Sequence, residues 1–341
     1  MPDVLLEPYI EALGEFPITG TPSDKLRAAV KYAVLAPSSH NSQPWRFHVA
    51  PDHLDLLADR GRALPVVDPG DRELTISCGA ALYYLRVALQ HFGCALTIQP
   101  FPERANPDLL ARVTIVGPHE STAEDHGLFD AIPKRRTYRL PFEHRVLPER
   151  LQSALERAAL REGARFYVFR TPSSRDAVAD LVAEADRLQM ADRRFRRELA
   201  AWMRPNHPKP TDGIPGYALG WSDIMAAAGP LVVRTFDVGS GAAAKNRELA
   251  EGSPMLALIG TDHDTPKDWL AAGQALARVL LRAQVDGVSA SFLNQPIEVE
   301  EFRLRLQVVV GRLGFPQVLL RLGYGEVIKA SPRRPPADVL E

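Results

Sequence analysis

The sequence has few cysteines, no excess of charge of either sign and none of the common enzyme motifs. Cys78 and Cys94 are its only cysteines, and their spacing fits neither a CxxC pair nor a zinc site. The 41 basic and 42 acidic residues nearly cancel, so the chain lacks the field expected of a nucleic-acid binder. The glycine-rich dinucleotide motif, the P-loop, HExxH and GxSxG are also absent. A disulfide scaffold, a metal site and four well-known enzyme classes are therefore not expected.

No hydrophobic run is long enough to cross a membrane. The most apolar stretch, 79–89, is interrupted by Arg86, whereas a spanning helix needs about 20 predominantly apolar residues. The first 16 residues carry acidic side chains where a signal peptide carries basic ones. We therefore expect a cytoplasmic protein that is neither exported nor bound to a membrane.

Two segments, 74–93 and 268–287, repeat one helical pattern. An offset of 194 positions pairs Gly79 with Gly273, and two strand-like runs follow each segment. Each half also opens with a helix and a strand, so the predicted order in each is helix, strand, long connection, helix, strand, strand. This order indicates mixed sheets flanked by helices. The alternative is chance similarity between two helices rich in Ala and Leu.

The repeat divides the chain into a first half, 1–122, and a second half, 123–341. A stretch rich in Gly and Pro, at about 200–245, interrupts only the second half. It is too long for a simple connection, and such segments usually serve as lids or binding loops or are disordered.

Small hydroxyl and amide side chains are concentrated at 36–47, with the sequence APSSHNSQPWRF. Two prolines keep this segment out of a helix. Polar side chains on a rigid backbone suit hydrogen bonding to a planar polar heterocycle. The alternative is a helix end and turn whose Ser and Asn satisfy local backbone groups.

Basic residues form three clusters in the second half. The sequence KRRTYR at 134–139 has four cations in six residues, which suits bidentate binding of phosphate oxygens, with a shorter bond from the hydroxyl of Thr137. A solvated basic face is the alternative. The cluster at 193–197 fits a solvated helix face better. Arg333 and Arg334 lie between prolines near the C-terminus, where they contact a ligand or belong to a soluble tail.

The segment APSSHNSQPWRF resembles the signature of the FMN-dependent nitroreductase family, and KRRTYR resembles that family's phosphate-binding motif. In the family, each flavin site combines the arginine motif of one subunit with the Pro-Ser-Ser-x-Asn segment of the other. Here the first half has only the second motif and the second half only the first. This arrangement resembles the Acg-type branch, in which one chain folds like a nitroreductase dimer.

The resemblance implies an α+β, nitroreductase-like fold of two tandem degenerate copies that form an intramolecular pseudo-dimer with one complete FMN site. It also implies a monomer. The residues that it assigns to FMN are, for the phosphate and ribityl chain, Arg135, Arg136 and Thr137; for the isoalloxazine ring, Pro37, Ser38, Ser39 and Asn41; for the loop that packs on the ring, Phe292, Leu293, Asn294 and Gln295; and for the C-terminal basic group, Arg333 and Arg334.

Two departures from the family pattern concern the ring. The loop 292–295 lacks the family's common Pro, Glu and Gly. The family's amide and lysine near the pyrimidine edge fall around 190–197, where Arg193 and Arg197 are the candidates.

The function that the resemblance implies is an FMN-binding, NAD(P)H-dependent oxidoreductase. It would transfer hydride through FMN to a nitroaromatic or quinone-like acceptor, with no side chain needed as a nucleophile. The alternative is a flavin-binding or flavin-storage protein with little or no turnover, in which Trp202, Tyr217 and Trp221 of the 200–245 insertion cover the flavin. A duplicated scaffold without a cofactor is the third possibility.

Overall fold

A computed structural model describes residues 15–207, 210–311 and 314–341. In the first half, helices cover a four-stranded antiparallel sheet of order β1-β2-β4-β3. The first helix begins at a capping box between Thr21 and Asp24, with a proline in its first turn. The elements are α1 Pro22–Ala33, β1 Trp45–Val49, β2 His53–Ala58, α2 Arg72–His91, β3 Cys94–Pro100 and β4 Leu109–Pro118.

The second half repeats this topology with additional elements. Its sheet has the order β5-β8-β10-β9. Numbered along the chain, the strands of each half therefore lie side by side in the same spatial order: first, second, fourth, third. The elements are α3 Ala123–Ala131, α4 Glu149–Arg161, β5 Arg165–Val168, α5 Pro172–Ala191, α6 Arg193–Trp202, β6 Met203–Arg204, β7 Ile214–Pro215, α7 Asp223–Thr235, α8 Gly239–Glu251, β8 Met255–Thr261, α9 Pro266–Val285, β9 Ser289–Phe292, α10 Gln295–Glu298, α11 Glu300–Val309 and β10 Phe315–Gly323. The predicted duplication is confirmed by this shared strand order.

The predicted long connection in each half contains a strand, β2 in the first and β8 in the second. The sheets also differ from the expected mixed type, because all ladders within the two four-stranded sheets are antiparallel. Parallel pairing occurs at their edges only as single bridges, Phe47 with Leu340 and Thr137 with Ala290. A short turn joins β1 to β2, and a parallel pair would have needed a long crossover there.

The insertion in the second half begins earlier than the sequence indicated. Helices α5 to α8, together with the short strands β6 and β7, lie between β5 and β8. The segment that the first half lacks therefore runs over about 172–251 rather than 200–245.

Among the described residues, no helix combines the length and the hydropathy that crossing a bilayer requires.

The two halves meet where α2 crosses α9. A Cβ atom added to Gly79 would collide with the carbonyl oxygen of Leu270, and one added to Gly273 would collide with that of Ile76. Glycine is therefore required on both helices for this close approach. Side chains also cross between the cores, since Leu270 of α9 packs in the first hydrophobic cluster and Ile76 of α2 in the second.

Candidate functional site

A cavity of about 380 Å³ lies between the two halves and the insertion. Its wall contains most of the residues singled out in the sequence: Pro37, Ser38, Ser39, Asn41, Thr137, Phe292, Leu293, Asn294, Gln295 and Arg333. Residues separated by almost 300 positions therefore converge on one space. Arg135 lies directly behind the wall, where its guanidinium donates a hydrogen bond of 3.4 Å to Thr137 Oγ1.

The first-half segment forms a strained turn at the cavity wall. Residues 39–41 are a short 3-10 helix, and His40, Asn41 and Gln43 all have φ between 51° and 54°, in the left-handed region. Backbone strain of this kind persists only where surrounding contacts hold it. Ser38 supplies one such contact, because its Oγ accepts the backbone N–H of Gln43 at 2.9 Å.

The side-chain amide of Asn41 joins three segments. Its Nδ2 donates to the carbonyl oxygens of Gly213 and Pro332, each at 3.0 Å, and its Oδ1 accepts from Arg333 at 3.1 Å. The turn is thereby attached to the insertion through Gly213 and to the C-terminal tail through Pro332. Asn41 thus holds the cavity wall together in addition to lining it.

Glu73, on α2, connects the turn to the second-half loop. It is 3% exposed, and its two carboxylate oxygens accept from Ser39 Oγ at 2.6 Å and from Asn294 Nδ2 at 3.3 Å. Asn294 also accepts the backbone N–H of Leu319 through its Oδ1. A single buried carboxylate therefore sets the separation of the two segments that the sequence assigned to the ring.

Two buried cations and one half-buried cation around the cavity have no counter-anion among the described residues. Arg135, Arg139 and Arg333 form no ion pair among the described residues, and the Nε atoms of Arg135 and Arg333 are buried without a hydrogen-bond partner. Burial, together with the charge of Arg135, lowers the pKa of Arg333 to about 9 and that of Arg139 to about 10. Such groups are costly unless an anion pairs with them, so the donor set fits a bound phosphate.

The chain has close relatives among known proteins, although no family model matches it. It is 32% identical over 326 residues to "Putative NAD(P)H nitroreductase Rv3131" of Mycobacterium tuberculosis, over 94% of this chain and 92% of that protein. The chain belongs to the nitroreductase family. A second relative, "Putative NAD(P)H nitroreductase acg" of the same species, is 30% identical over 331 residues, covering 95% of this chain and 97% of its own.

Solved nitroreductases show more distant likenesses. The FMN- and NADPH-dependent NfnB from a Sphingopyxis strain is 17% identical with a TM-score of 0.42, and it covers 63% of this chain and 97% of its own. NfnB from Mycobacterium smegmatis, solved with NADPH, is 14% identical with a TM-score of 0.41, over the same shares of the two chains.

Arg136 and Arg334 lie outside the cavity wall. The guanidinium of Arg136 donates to the carbonyl oxygens of Pro133 at 2.6 Å and of Arg135 at 2.9 Å. Arg334 donates through its backbone N–H to Gln43 Oε1 at 2.8 Å and through its side chain to the carbonyl of the same residue. Both arginines hold the segments that carry the cavity residues.

The candidates at 190–197 require a correction. Arg193 and Arg197 are exposed, whereas Met190 and Phe195 from the same stretch line the cavity. The reason is the amphipathic pattern of α6, which turns Phe195 and Leu199 inward and Arg193, Arg194 and Arg197 to solvent. Arg196, by contrast, is buried and donates to the carbonyl oxygens of Met190 and Ala191.

Acidic and amide side chains of the insertion and α10 also line the cavity. Gln189 donates to Glu298 Oε2 at 2.6 Å, and Asn246 donates to Asp186 Oδ2 at 2.8 Å. Burial raises the pKa of Asp186 and, together with the nearby charge of Glu73, raises that of Glu298 well above its usual range. These groups were not identified from the sequence, because a charged residue within a helix is usually on the surface.

The insertion covers the cavity with aliphatic residues rather than with its tryptophans. Leu199, Ile214 and Leu219 line the wall, and Trp202, Tyr217 and Trp221 do not. Trp202 instead lies between two guanidiniums, those of Arg62 at 5.4 Å and Arg204 at 5.6 Å from its ring centroid.

Both of these arginines also pair with Asp212. Arg62 in addition donates to the carbonyl of Ser42 at 2.5 Å. This cluster of Arg62, Trp202, Arg204 and Asp212, which we call the latch, fastens the loop between β6 and β7 to the strained turn.

Proposed function

We propose that this protein binds FMN in the cavity and works as an NAD(P)H-dependent oxidoreductase that reduces a nitroaromatic or quinone-like acceptor. The observation that carries the proposal is the set of buried, unpaired guanidiniums beside a wall of hydroxyl and amide groups. The family supplies the reaction class, since the relatives are named as NAD(P)H nitroreductases.

Arg135, Thr137 and Arg333 would hold the phosphate. Thr137 and Arg333 line the cavity, and Arg135 lies behind Thr137. Arg139 also lines the cavity, and its guanidinium has no hydrogen bond or ion pair among the described residues. A phosphate provides the oxygen acceptors that these groups lack. Its charge also offsets the repulsion between Arg135 and Arg333.

The turn at 37–41 and the loop at 292–295 would hold the ring. They come from different halves, and Glu73 fixes their separation through Ser39 and Asn294. His40 faces the same cavity, and burial with the charge of Arg139 lowers its pKa to about 4. It is therefore neutral at pH 7 and adds no charge beside the ring.

When bound, FMN supplies the two-electron chemistry. The chain contributes orientation, exclusion of water and carboxyl groups in the cavity wall. Asp186 and Glu298 have raised pKa values there, and a protonated carboxyl group donates a hydrogen bond or a proton to an acceptor. The described wall therefore carries both cationic donors and carboxyl groups with raised pKa values.

We also propose that one complete site forms per chain, from halves bounded at 1–122 and 123–341. The turn comes only from the first and the cationic cluster only from the second. Because both contribute to the same cavity, a second chain is not needed to complete it.

Flavin storage is the second candidate, and one observation favours it. The insertion covers the cavity, and Asn41 and the latch fasten it to the turn. A cover held in this way slows the entry of nicotinamide.

Rapid mixing of the FMN-loaded protein with NADH or NADPH distinguishes the two candidates. Loss of the oxidised flavin absorbance band within seconds, followed by its return on addition of a quinone, supports the oxidoreductase. Persistence of that band with both nucleotides rejects it and supports storage.

A further inference from the structure

Helix α7, in the insertion, exposes a broad apolar face. Ala226 and Val233 pack inward, at 1% and 7% exposure, yet the opposite side of the helix is also apolar. Four large side chains on that side, Ile224, Met225, Leu231 and Val232, and Phe236 directly after the helix are 42–83% exposed. Contiguous apolar patches of this kind on soluble proteins mark interaction sites. We call these five residues the α7 face.

We propose that the α7 face binds the α7 face of a second copy of this chain, with the two helices antiparallel. The argument for this occupant is charge complementarity. Asp223 at the start of the helix and Arg234 near its end are both exposed, and helical spacing puts them on the same edge of the face. One carboxylate oxygen of Asp223 accepts a hydrogen bond of 2.7 Å from Asn206 within the chain, which leaves the other for a partner. In a two-fold pair of antiparallel helices, Asp223 of each copy comes next to Arg234 of the other.

This charge pattern disfavours an anionic lipid surface as the partner and disfavours a parallel helix pair. A helix that lies on an anionic lipid surface carries basic residues along its polar edge, whereas this edge is acidic at one end and basic at the other. A face with opposite charges at its ends is complementary to itself in the antiparallel arrangement, and the parallel arrangement would bring like charges together.

Small residues at the middle of the helix permit close packing. Ala227 and Ala228 are both exposed between Ile224 and Leu231. Because their side chains are short, two helix axes can approach to about 8 Å, the lower end of the usual interaxial distances. The larger side chains on either side then interdigitate with those of the second copy.

The size of the face indicates a weak dimer. Its five side chains expose on the order of 500 Å² per copy, below the roughly 800 Å² per partner of a standard interface. We therefore expect a dissociation constant in the micromolar range. None of the five residues lines the cavity, so this proposal is independent of flavin binding.

Sedimentation velocity of the full chain, from about 1 to about 300 micromolar, tests the proposal. The expected result is a change from monomer to dimer with rising concentration. Leu231→Glu, at the middle of the face, should shift the midpoint at least tenfold upward. Leu188→Glu, on α5, is the matched control, because Leu188 is 51% exposed and lies outside the face; it should leave the midpoint unchanged.

Charge reversal tests the antiparallel geometry. Asp223→Arg and Arg234→Asp should each weaken the dimer, and the double variant should restore it. A wild-type monomer throughout the concentration range would overturn the proposal, as would a dimer that Leu231→Glu leaves intact.

Deletion of residues 2–14 gives a further test: a dimer that forms only after the deletion would assign the face to that segment instead.

Discussion

Gly79 and Gly273 occupy equivalent positions in the two halves and contact each other at the crossing of α2 and α9. A Cβ atom on Gly79 would lie 3.0 Å from the Cα of Gly273, and one on Gly273 would lie 2.8 Å from the Cα of Gly79. The site depends on this contact, because Glu73 of α2 reaches across to Asn294 of the second half.

The first prediction concerns this crossing. Gly79→Ala should lower the free energy of unfolding by about 1–3 kcal/mol, because the added methyl group meets backbone atoms that cannot move aside. Gly241→Ala is the control: Gly241 is exposed within α8, and no atom lies within 4 Å of an added Cβ. The control should gain about 0.5–1 kcal/mol. Urea unfolding measures both, and equal effects would refute the close approach.

The second prediction concerns Arg139, whose half-buried charge has no partner among the described residues. Arg139→Met should raise the free energy of unfolding of the flavin-free protein by about 1 kcal/mol, because an uncompensated cation is removed. The same variant should bind FMN about tenfold or more weakly, because a charge-assisted bond is lost. Arg193→Met, at an exposed position of α6, should change neither quantity. A variant that loses both stability and affinity would contradict this assignment.

The third prediction concerns pH. The pKa of His40 is lowered to about 4 in the folded protein, so between about pH 4 and its ordinary value of 6.5 the unfolded state binds more protons than the folded state. Stability should therefore fall as the pH drops from 6.5 to 4. His40→Gln should remove part of this slope, and His48→Gln, at an exposed position of β1, should not. Parallel slopes for all three proteins would show that His40 titrates normally.

The fourth prediction concerns the latch. Asp212→Asn weakens the pairing with both Arg62 and Arg204, so amide hydrogens at 203–215 should exchange faster with deuterium. Under the oxidoreductase proposal, flavin reduction by NAD(P)H should not slow. Under the storage proposal it should accelerate. Asp192→Asn, which loses only a helix cap on α6, serves as the control; identical exchange in both variants would mean that the latch does not hold the loop.

The sequence predicted the duplication, and most of the site residues assigned from it line the cavity. The Gly79–Gly273 pairing was visible because the close helix crossing requires glycine on both helices. The two glycines therefore occupy matching positions in the two repeats, 194 residues apart. The turn at 37–41 and Thr137 were visible because clustered hydroxyl, amide and cationic residues are rare outside binding sites.

Other features were hidden for physical reasons. Strand β2, HLDLLA, has three consecutive buried residues, 54–56, and so shows no alternation. Glu73 and Glu298 lie in helices, where a carboxylate usually faces solvent, and only the tertiary fold buries them. Arg135 and Arg136 are adjacent in the motif, but the backbone direction places one directly behind the wall and the other against local carbonyl groups.

The most direct test of the central claim is a titration of the flavin-free protein with FMN and, separately, with riboflavin, followed by flavin fluorescence. The account predicts one FMN per chain and at least tenfold weaker binding of riboflavin, which lacks the phosphate. It also predicts that Arg135→Ala removes most of this difference while Arg197→Ala preserves it. Equal affinity for the two flavins, two FMN per chain, or no binding of FMN would contradict it.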